Sequence, residues 1–202
     1  MGITPIYSIP FADPTDLVRD WPALSEDVAE AVEDAVAGVP VLAGIGSNVV
    51  QAVKTDVFST SSTSFTIVTG LAATITPTTA TSKVLVLANV AYGHTDTGLA
   101  FAFRLAGGNA DDYVGDADGN RTRAVFGNEN IGAAYNRADL GTFSASMIFL
   151  DSPDTTSPVT YSVECRRLGG TGTLFVNRSS FDANNGANTR GASSIIVVEV
   201  AA

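Results

Sequence analysis

The residues able to do chemistry in this chain are few and widely spaced. The most suggestive run is Asp116-Ala117-Asp118-Gly119-Asn120, where acidic and amide side chains alternate as oxygen ligands do in the first half of a calcium loop. The second half does not follow. Arg121 stands at the sixth position, where a glycine makes the sharp turn, and Gly127 stands at the twelfth, where a bidentate glutamate would close the shell. An Asp-Gly turn accounts for the same residues, so no metal ligand is assigned, and no cofactor motif occurs. His94 is the single histidine and falls in the turn-like Gly93 to Gly98 segment, with no nucleophile-elbow sequence around any serine. A pair of glycoside-cleaving carboxylates is defined by separation in space and not by spacing in sequence, so a polysaccharide-cleaving enzyme stays as an alternative. Against it, the only tryptophan is Trp21, near the N-terminus, and no solenoid repeat is present. The expectation is a protein with no catalytic residue.

Cys165 is the only cysteine, which excludes an intrachain disulfide and any multi-cysteine metal site. It shares the strand parity of Tyr161 and Val163, the pattern of a small buried core residue. Asn177-Arg178-Ser179 fits the glycosylation pattern, but the N-terminus lacks a basic region followed by an apolar run, and the motif reads as an ordinary strand end. No apolar stretch is long enough for a membrane span, so a soluble protein without membrane insertion is expected.

These residues sit in a chain whose composition calls for strands. Charged residues make up only 16% and glycine numbers 19, as expected of many short strands joined by turns. The strongest element is Lys83 to Tyr92, in which Val84, Val86, Ala88, Val90 and Tyr92 form one apolar face and Leu85, Leu87 and Ala91 make the other nearly as apolar. After a hairpin at Gly93 to Gly98, Leu99, Phe101, Phe103 and Leu105 share one face. Further strands are expected at Val49 to Phe58, Phe65 to Thr69, Leu71 to Thr76, Arg121 to Phe126, Phe143 to Leu150, Val159 to Leu168, Thr173 to Asn177 and Ser194 to Val200. Their number and spacing predict an antiparallel, jelly-roll-like β-sandwich over residues 49–202. Strands apolar on both faces need a second cover, and a neighbouring copy can supply it, which predicts a homo-oligomer.

The front of the chain is different. Residues 1–40 hold eight acidic side chains and one arginine, a net −7 of the total −10. Residues 1–22 contain four of the eight prolines and read as an extended arm whose Ile6, Tyr7, Ile9, Phe11, Leu17 and Trp21 seek a partner surface. Residues 23–41 show one short amphipathic helix with Leu24, Val28, Ala31, Val32, Ala35 and Val39 on one stripe, suited to packing against copies of itself. Residues 42–48 read as a hinge. The acidity and the lack of basic clusters interleaved with aromatics argue against nucleic-acid binding.

Two long connections, Gly127 to Gly141 and Ser179 to Gly191, are rich in asparagine, glycine and alanine. Asn128, Asn130, Tyr135, Asn136, Asn184 and Asn185 are the expected contacts if the loops bind a ligand, since amides donate and accept to sugar hydroxyls. The same residues also make ordinary connectors.

The arm YSIPFADPTDLV with its acidic helix resembles the N-terminal segments of small bacteriophage tail-fibre and minor tail proteins. The segments KTDVFSTSSTSFTIVTGLAATITPTTATSKVLVLANV, GDADGNRTRAVFG, LDSPDTTSPVTYSVE and RGASSIIVVEVA resemble the β-rich fibre-head module of such proteins. The resemblance implies a virion structural protein made in the host cytoplasm. It further implies a homotrimer with its arm docked to other virion proteins and its head turned outward for host attachment, through a surface glycan or protein. A capsid head fibre or decoration protein is the alternative with the same design, and a polysaccharide-degrading tail enzyme is the alternative of another class. The resemblance transfers no catalytic residue.

Overall fold

The structure is a computed structural model describing residues 2–3, 10–11, 28–30, 45–95, 99–110, 113–128, 142–186 and 188–200. The chain divides into two units, Met1–Ala43 and Gly44–Ala202. In the first, β1 (Gly2–Ile3) pairs antiparallel with β2 (Pro10–Phe11), a minimal ladder where the sequence suggested no regular element. Proline at a strand's first residue is compatible with such pairing, because the missing N–H removes only one bond. Val28–Glu30 is helical, with Val28 half-buried and Ala29 and Glu30 exposed. Leu24, Ala31, Val32, Ala35 and Val39 of the expected stripe lie outside the described residues, as do Ile6, Tyr7, Ile9, Leu17, Trp21 and the side chain of Phe11.

The second unit is mainly β, with antiparallel sheets packed in two layers. Its centre is β6 (Lys83–His94), hydrogen-bonded along both edges. One edge carries β12 (Ser193–Val200), from Asn89↔Ser194 to Lys83↔Val200, and the other carries β9 (Phe143–Asp151), from Val84↔Asp151 to Tyr92↔Phe143. Beyond β12 lies β3 (Ile45–Lys54), while β11 (Leu174–Val176) takes up the last residues of β6 and bonds in turn to β4 (Phe58–Thr60). The facing sheet has the order β5 (Thr66–Ile75), β10 (Val159–Gly169), β7 (Ala100–Ala106) and β8 (Phe126–Asn128). The expected sandwich is the observed architecture.

Alternation of side chains puts the core between these layers. Val84, Val86 and Val90 of β6 are wholly buried against Phe101, Phe103 and Leu105 of β7, and the Tyr92 ring sits 5.0 Å from Phe101 and 5.5 Å from Phe103. Cys165 lies fully buried on β10, and burial, with the neighbouring Glu164 carboxylate, pushes its thiol up to about 12. At neutral pH it stays a protonated, apolar filler, as its parity suggested.

Outward residues of the larger sheet form rows because the strands are in register. Val49, Val198, Leu85 and Leu150 make one row, and Gln51, Ile196, Leu87 and Ile148 the next. Val53, Ser194, Asn89 and Ser146 make the third. Within one chain Leu85 and Leu87 are half-buried, shielded by their neighbours in the row.

Several expected boundaries shift for identifiable reasons. The breaks drawn at Gly70 vanish, since β5 runs through a bulge there: Gly70 takes φ +89°, and Val68 and Leu71, three apart, both point inward. The hinge at 42–48 is partly strand, because β3 begins at Ile45 and pairs it with Val200. The single strand expected at Val49 to Phe58 breaks after Lys54, and β4 resumes at Phe58 against β11. No strand forms at Arg121 to Val125. Arg121 N donates to Asp118 O in a turn, Arg123 Nε donates to Gly115 O, and the chain joins β7 only where Val125 N donates to Phe103 O at 3.1 Å. Gly93 and His94 belong to β6 and not to the connection that follows, because β11 supplies a ladder partner for each.

Glu199, near the end of β12 between β3 and β6, is 3% exposed and gathers three segments. Thr78 donates to it from its backbone N (2.7 Å) and Oγ1 (2.6 Å), and Asn48 donates from Nδ2 at 3.0 Å. Burial alone would raise its pKa, but these bonds and one from Ser82 outweigh it and hold the carboxyl down at about 2. A depressed carboxyl stabilises the fold above its unfolded pKa and loses that contribution as pH falls through the folded one. Stability is therefore expected to fall between about pH 4.5 and about 2 in the native chain. Glu199→Gln should cost about 1–2 kcal/mol at neutral pH and flatten that profile, as read by urea unfolding across pH. An unchanged profile in the variant would remove Glu199 from this role.

Candidate functional site

The loop 179–191 is held at its base by one residue. Asn177 follows β11 with φ 66°, a left-handed conformation that asparagine adopts more readily than most residues, and it is fully buried. Its backbone N donates to Ala91 O at 2.8 Å, and its carbonyl accepts from Gly191 N at 3.0 Å, which closes the loop on itself. Its side-chain Nδ2 donates to Lys54 O (2.8 Å) and Asp56 O (3.0 Å), and its Oδ1 accepts from Ser193 Oγ at 2.6 Å. Ser193 Oγ in turn accepts from Ala91 N at 3.0 Å. Asn177 thus ties the end of β3, Ala91 within β6 and the start of β12 to the start and finish of the loop. The bonds to Lys54 O and Asp56 O are also the reason the strand expected through Phe58 breaks: a side chain takes the carbonyls where the ladder stops.

Above this base, Arg178 and Arg190 form an isolated antiparallel bridge. Gly191 permits the approach, for a Cβ there would lie 2.7 Å from that of Ala91. Arg178 wraps its own loop, with Nε donating to Ser179 O (3.0 Å), Nη2 to Ser180 O (3.0 Å), and its guanidinium 4.0 Å above the Phe175 ring. The Asp182 carboxylate bridges both arginines, at 2.6 Å from Arg190 and 3.4 Å from Arg178.

This arrangement leaves an open hollow of about 280 Å³ lined by Asp182, Ala183, Asn184, Asn185, Asn188 and Arg190. That volume is near the lower bound of small-ligand sites and suits one sugar-sized group. Its rim is set by Asn188, whose Nδ2 donates to Ala183 O (2.9 Å) and Asn185 Oδ1 (3.0 Å). Asn184 is exposed and makes no side-chain hydrogen bond among the described residues. Phe181, one residue before Asp182 in the chain, is 53% exposed and is not among the residues that line the hollow. The chemistry available from the described lining is hydrogen bonding by the amides and charge pairing by Asp182 and Arg190.

Of the six loop residues expected as contacts, Asn184 and Asn185 come together here. Asn128 ends β8, paired with Phe101, and its side chain is outside the described residues, as are Asn130, Tyr135 and Asn136. The sequence reading missed Phe181, Asp182, Asn188 and Arg190. An aromatic beside Asp and two Arg spaced across an Asn-rich loop was the available signal. Asn177 itself is no glycan acceptor, since both its amide atoms are consumed in the buried network.

His94 is 5% exposed and stacked 6.1 Å from Phe143 with the rings 14° apart, a core position. In the Asp116 to Asn120 run, Gly119 takes φ +58° and Asp118 pairs with Arg121, the turn the residues suggested. Among the described residues no group of three metal-ligating side chains occurs, and no helix is long and apolar enough to cross a membrane. No protein-family model matches the chain, and no curated protein matches it.

Replacing Asn177 by alanine strands two carbonyls and a hydroxyl in the interior, with an expected cost of about 3 kcal/mol in urea unfolding. Asn177→Asp should be at least as damaging, because a carboxylate faces carbonyl oxygens instead of donating to them. Faster amide exchange across 178–191 should accompany both. A loss within about 0.5 kcal/mol, the range of ordinary surface substitutions, would show that the loop is anchored elsewhere.

Proposed function

We propose that the chain is a bacteriophage virion structural protein of the tail-fibre or minor-tail kind. In this reading it is a homotrimer whose β-sandwich head meets a host surface glycan or protein through the 179–191 loop. Residues 1–22 attach it to other virion proteins, with Ile6, Tyr7, Ile9, Phe11, Leu17 and Trp21 as the anchoring side chains. The stripe from Leu24 to Val39 contributes to holding the copies together. The resemblance of the arm and strand segments to phage fibre proteins supports the virion setting.

The observation that carries the recognition role is a loop clamped at its base by Asn177 that holds an amide-lined hollow and, elsewhere on the same loop, an exposed Phe181. A rigid scaffold that presents an amide-lined recess on a loop with an exposed aromatic side chain offers what a saccharide uses, hydroxyl partners and a flat apolar surface. Preorganisation matters here because ordering a mobile loop on binding would cost about 0.5–1.5 kcal/mol for each immobilised side chain.

The test is phage adsorption. Particles carrying Phe181→Ala with Asn184→Ala should adsorb at least about tenfold more slowly, while the purified variant melts within a few degrees of the parent, since both positions are exposed. Unchanged adsorption by the folded variant would end the recognition role and favour a capsid head fibre or decoration protein. Antibody imaging of the β-domain on intact particles places the protein on tail or capsid, and absence from the particle would end the virion reading.

If the arm docks as proposed, the single tryptophan, Trp21, should shift its emission to shorter wavelength when the protein is incorporated into particles. Removing residues 1–40 should abolish incorporation yet leave the remaining chain unfolding cooperatively in urea. Retained incorporation by the truncated chain would show that attachment lies in the body.

A further inference from the structure

The 179–191 loop and the residue that opens it carry charge of the opposite sign to the chain as a whole. From Arg178 to Gly191 there are two arginines against one aspartate, a net +1 in a chain of net −10. The two arginines are not equivalent. Arg178 is taken up by the loop itself: Nε and Nη2 donate to Ser179 O and Ser180 O, Nη1 lies 3.4 Å from the Asp182 carboxylate, and the guanidinium covers the Phe175 ring. Arg190 instead lines the hollow with its side chain 55% exposed, and only its Nη2 is engaged, by Asp182 at 2.6 Å. Its Nε and Nη1 have no partner among the described residues.

We infer that the hollow takes an acidic saccharide, with the carboxylate of the sugar on Arg190. A guanidinium presents paired N–H groups that match the two oxygens of a carboxylate, a match that a single hydroxyl does not make. Asp182 does not oppose this, because its carboxylate already lies between two guanidinium groups and a second carboxylate meets the positive charge that remains. The amides supply the saccharide part. Asn184 is exposed and makes no side-chain hydrogen bond among the described residues, so its amide can donate to and accept from ring hydroxyls. Asn188 holds the rim through its bonds to Ala183 O and Asn185 Oδ1, and the hollow of about 280 Å³ has room for one sugar ring. A carboxylic acid with no ring leaves the amides unused, and a neutral sugar leaves the cation unused.

This assignment rests on the recognition role proposed above for the loop and adds to it the charge of the ligand. The site is open, so water and salt screen the pair. An exposed ion pair contributes at most about fivefold in affinity, so the preference for the acid is modest for one ring and grows where a glycan repeats the acidic unit.

The experiment is a titration of the isotope-labelled full chain with D-glucuronate, D-glucose and acetate, each to about 50 mM at constant ionic strength, followed through the amide chemical shifts of residues 178–191. D-glucuronate should bind about fivefold more tightly than D-glucose and than acetate. Raising NaCl from about 20 to about 300 mM should weaken the glucuronate titration and leave that of glucose unchanged. Arg190→Gln should bring glucuronate down to the affinity of glucose. Because that change also removes an ion pair within the loop, Asn184→Asp is the second variant. It places a carboxylate on the lining at an exposed, unbonded position, should melt within a few degrees of the parent, and should abolish the preference for glucuronate over glucose. Equal affinity of the parent for glucuronate and glucose would overturn the acidic ligand and leave the recognition role of the loop standing. Acetate binding as tightly as glucuronate would overturn the saccharide, marking instead a site that any carboxylate fills, an acidic protein segment included. Absence of shifts with D-glucuronate, or a preference that survives both variants, would overturn the assignment as well. Failure of the recognition role itself is read separately, from adsorption of particles carrying Phe181→Ala with Asn184→Ala.

Discussion

Much of the sandwich depends on how backbone groups are satisfied where strands end, and Asn177 is where that constraint concentrates. The end of β3 and the start of β12 both lie within reach of its side chain, and a sheet that simply stopped there would bury unpaired carbonyls. The amide supplies two donors and one acceptor in the geometry required, and its left-handed backbone turns the chain out into the loop at the same point. The candidate site is therefore a by-product of closing the sheet. The hydrogen bonds that terminate β3 also hold the base of the loop that carries Phe181 and the asparagines.

The interior follows from a different requirement, that two twisted sheets fill the space between them. Large side chains on β7 face valines on β6, and Tyr92 packs among Phe101, Phe103 and Phe126 with centroids 5.0 to 5.8 Å apart. Burial pushes the Tyr92 hydroxyl up to about 12, so it stays neutral at any ordinary pH. Tyr161 donates to Asp151 at 2.6 Å, and burial followed by that carboxylate raises its pKa further. Gly108 and Asn109 close over this pair, and a Cβ at Gly108 would lie 2.0 Å from the Asp151 carboxylate. Polar groups at the sandwich edges are thus used as fastenings, while the centre is apolar.

The two outward faces and the loop divide the surface by chemistry. One sheet presents uncharged outward rows, the other presents ion-paired and cation–π groups around Phe65, and the loop presents amides around its hollow. In the loop the Asp182 carboxylate pairs with both Arg178 and Arg190, so the cluster is held together by its ion pairs while keeping one net positive charge.

The sequence alone determined the fold class, because period-two apolar patterns in Lys83 to Tyr92, Leu99 to Leu105 and Ser194 to Val200 can bury a face only as strands. It also marked Cys165 as core and Asn184 and Asn185 as exposed loop residues. What it could not determine were features that arise only from pairing across long separations. Gly70 looked like a strand end until a bulge kept Val68 and Leu71 on one face, and His94 looked like a turn until β11 arrived beside it. The role of Asn177 depends on backbone atoms at Lys54, Asp56 and Gly191, brought to it from far along the chain, so no local pattern could disclose it. The apolar rows were legible strand by strand as two-sided strands. Only the tertiary register decided that Val49, Leu85 and Leu150 stand in one line, because alignment of neighbours is set by the ladders and not by any strand alone.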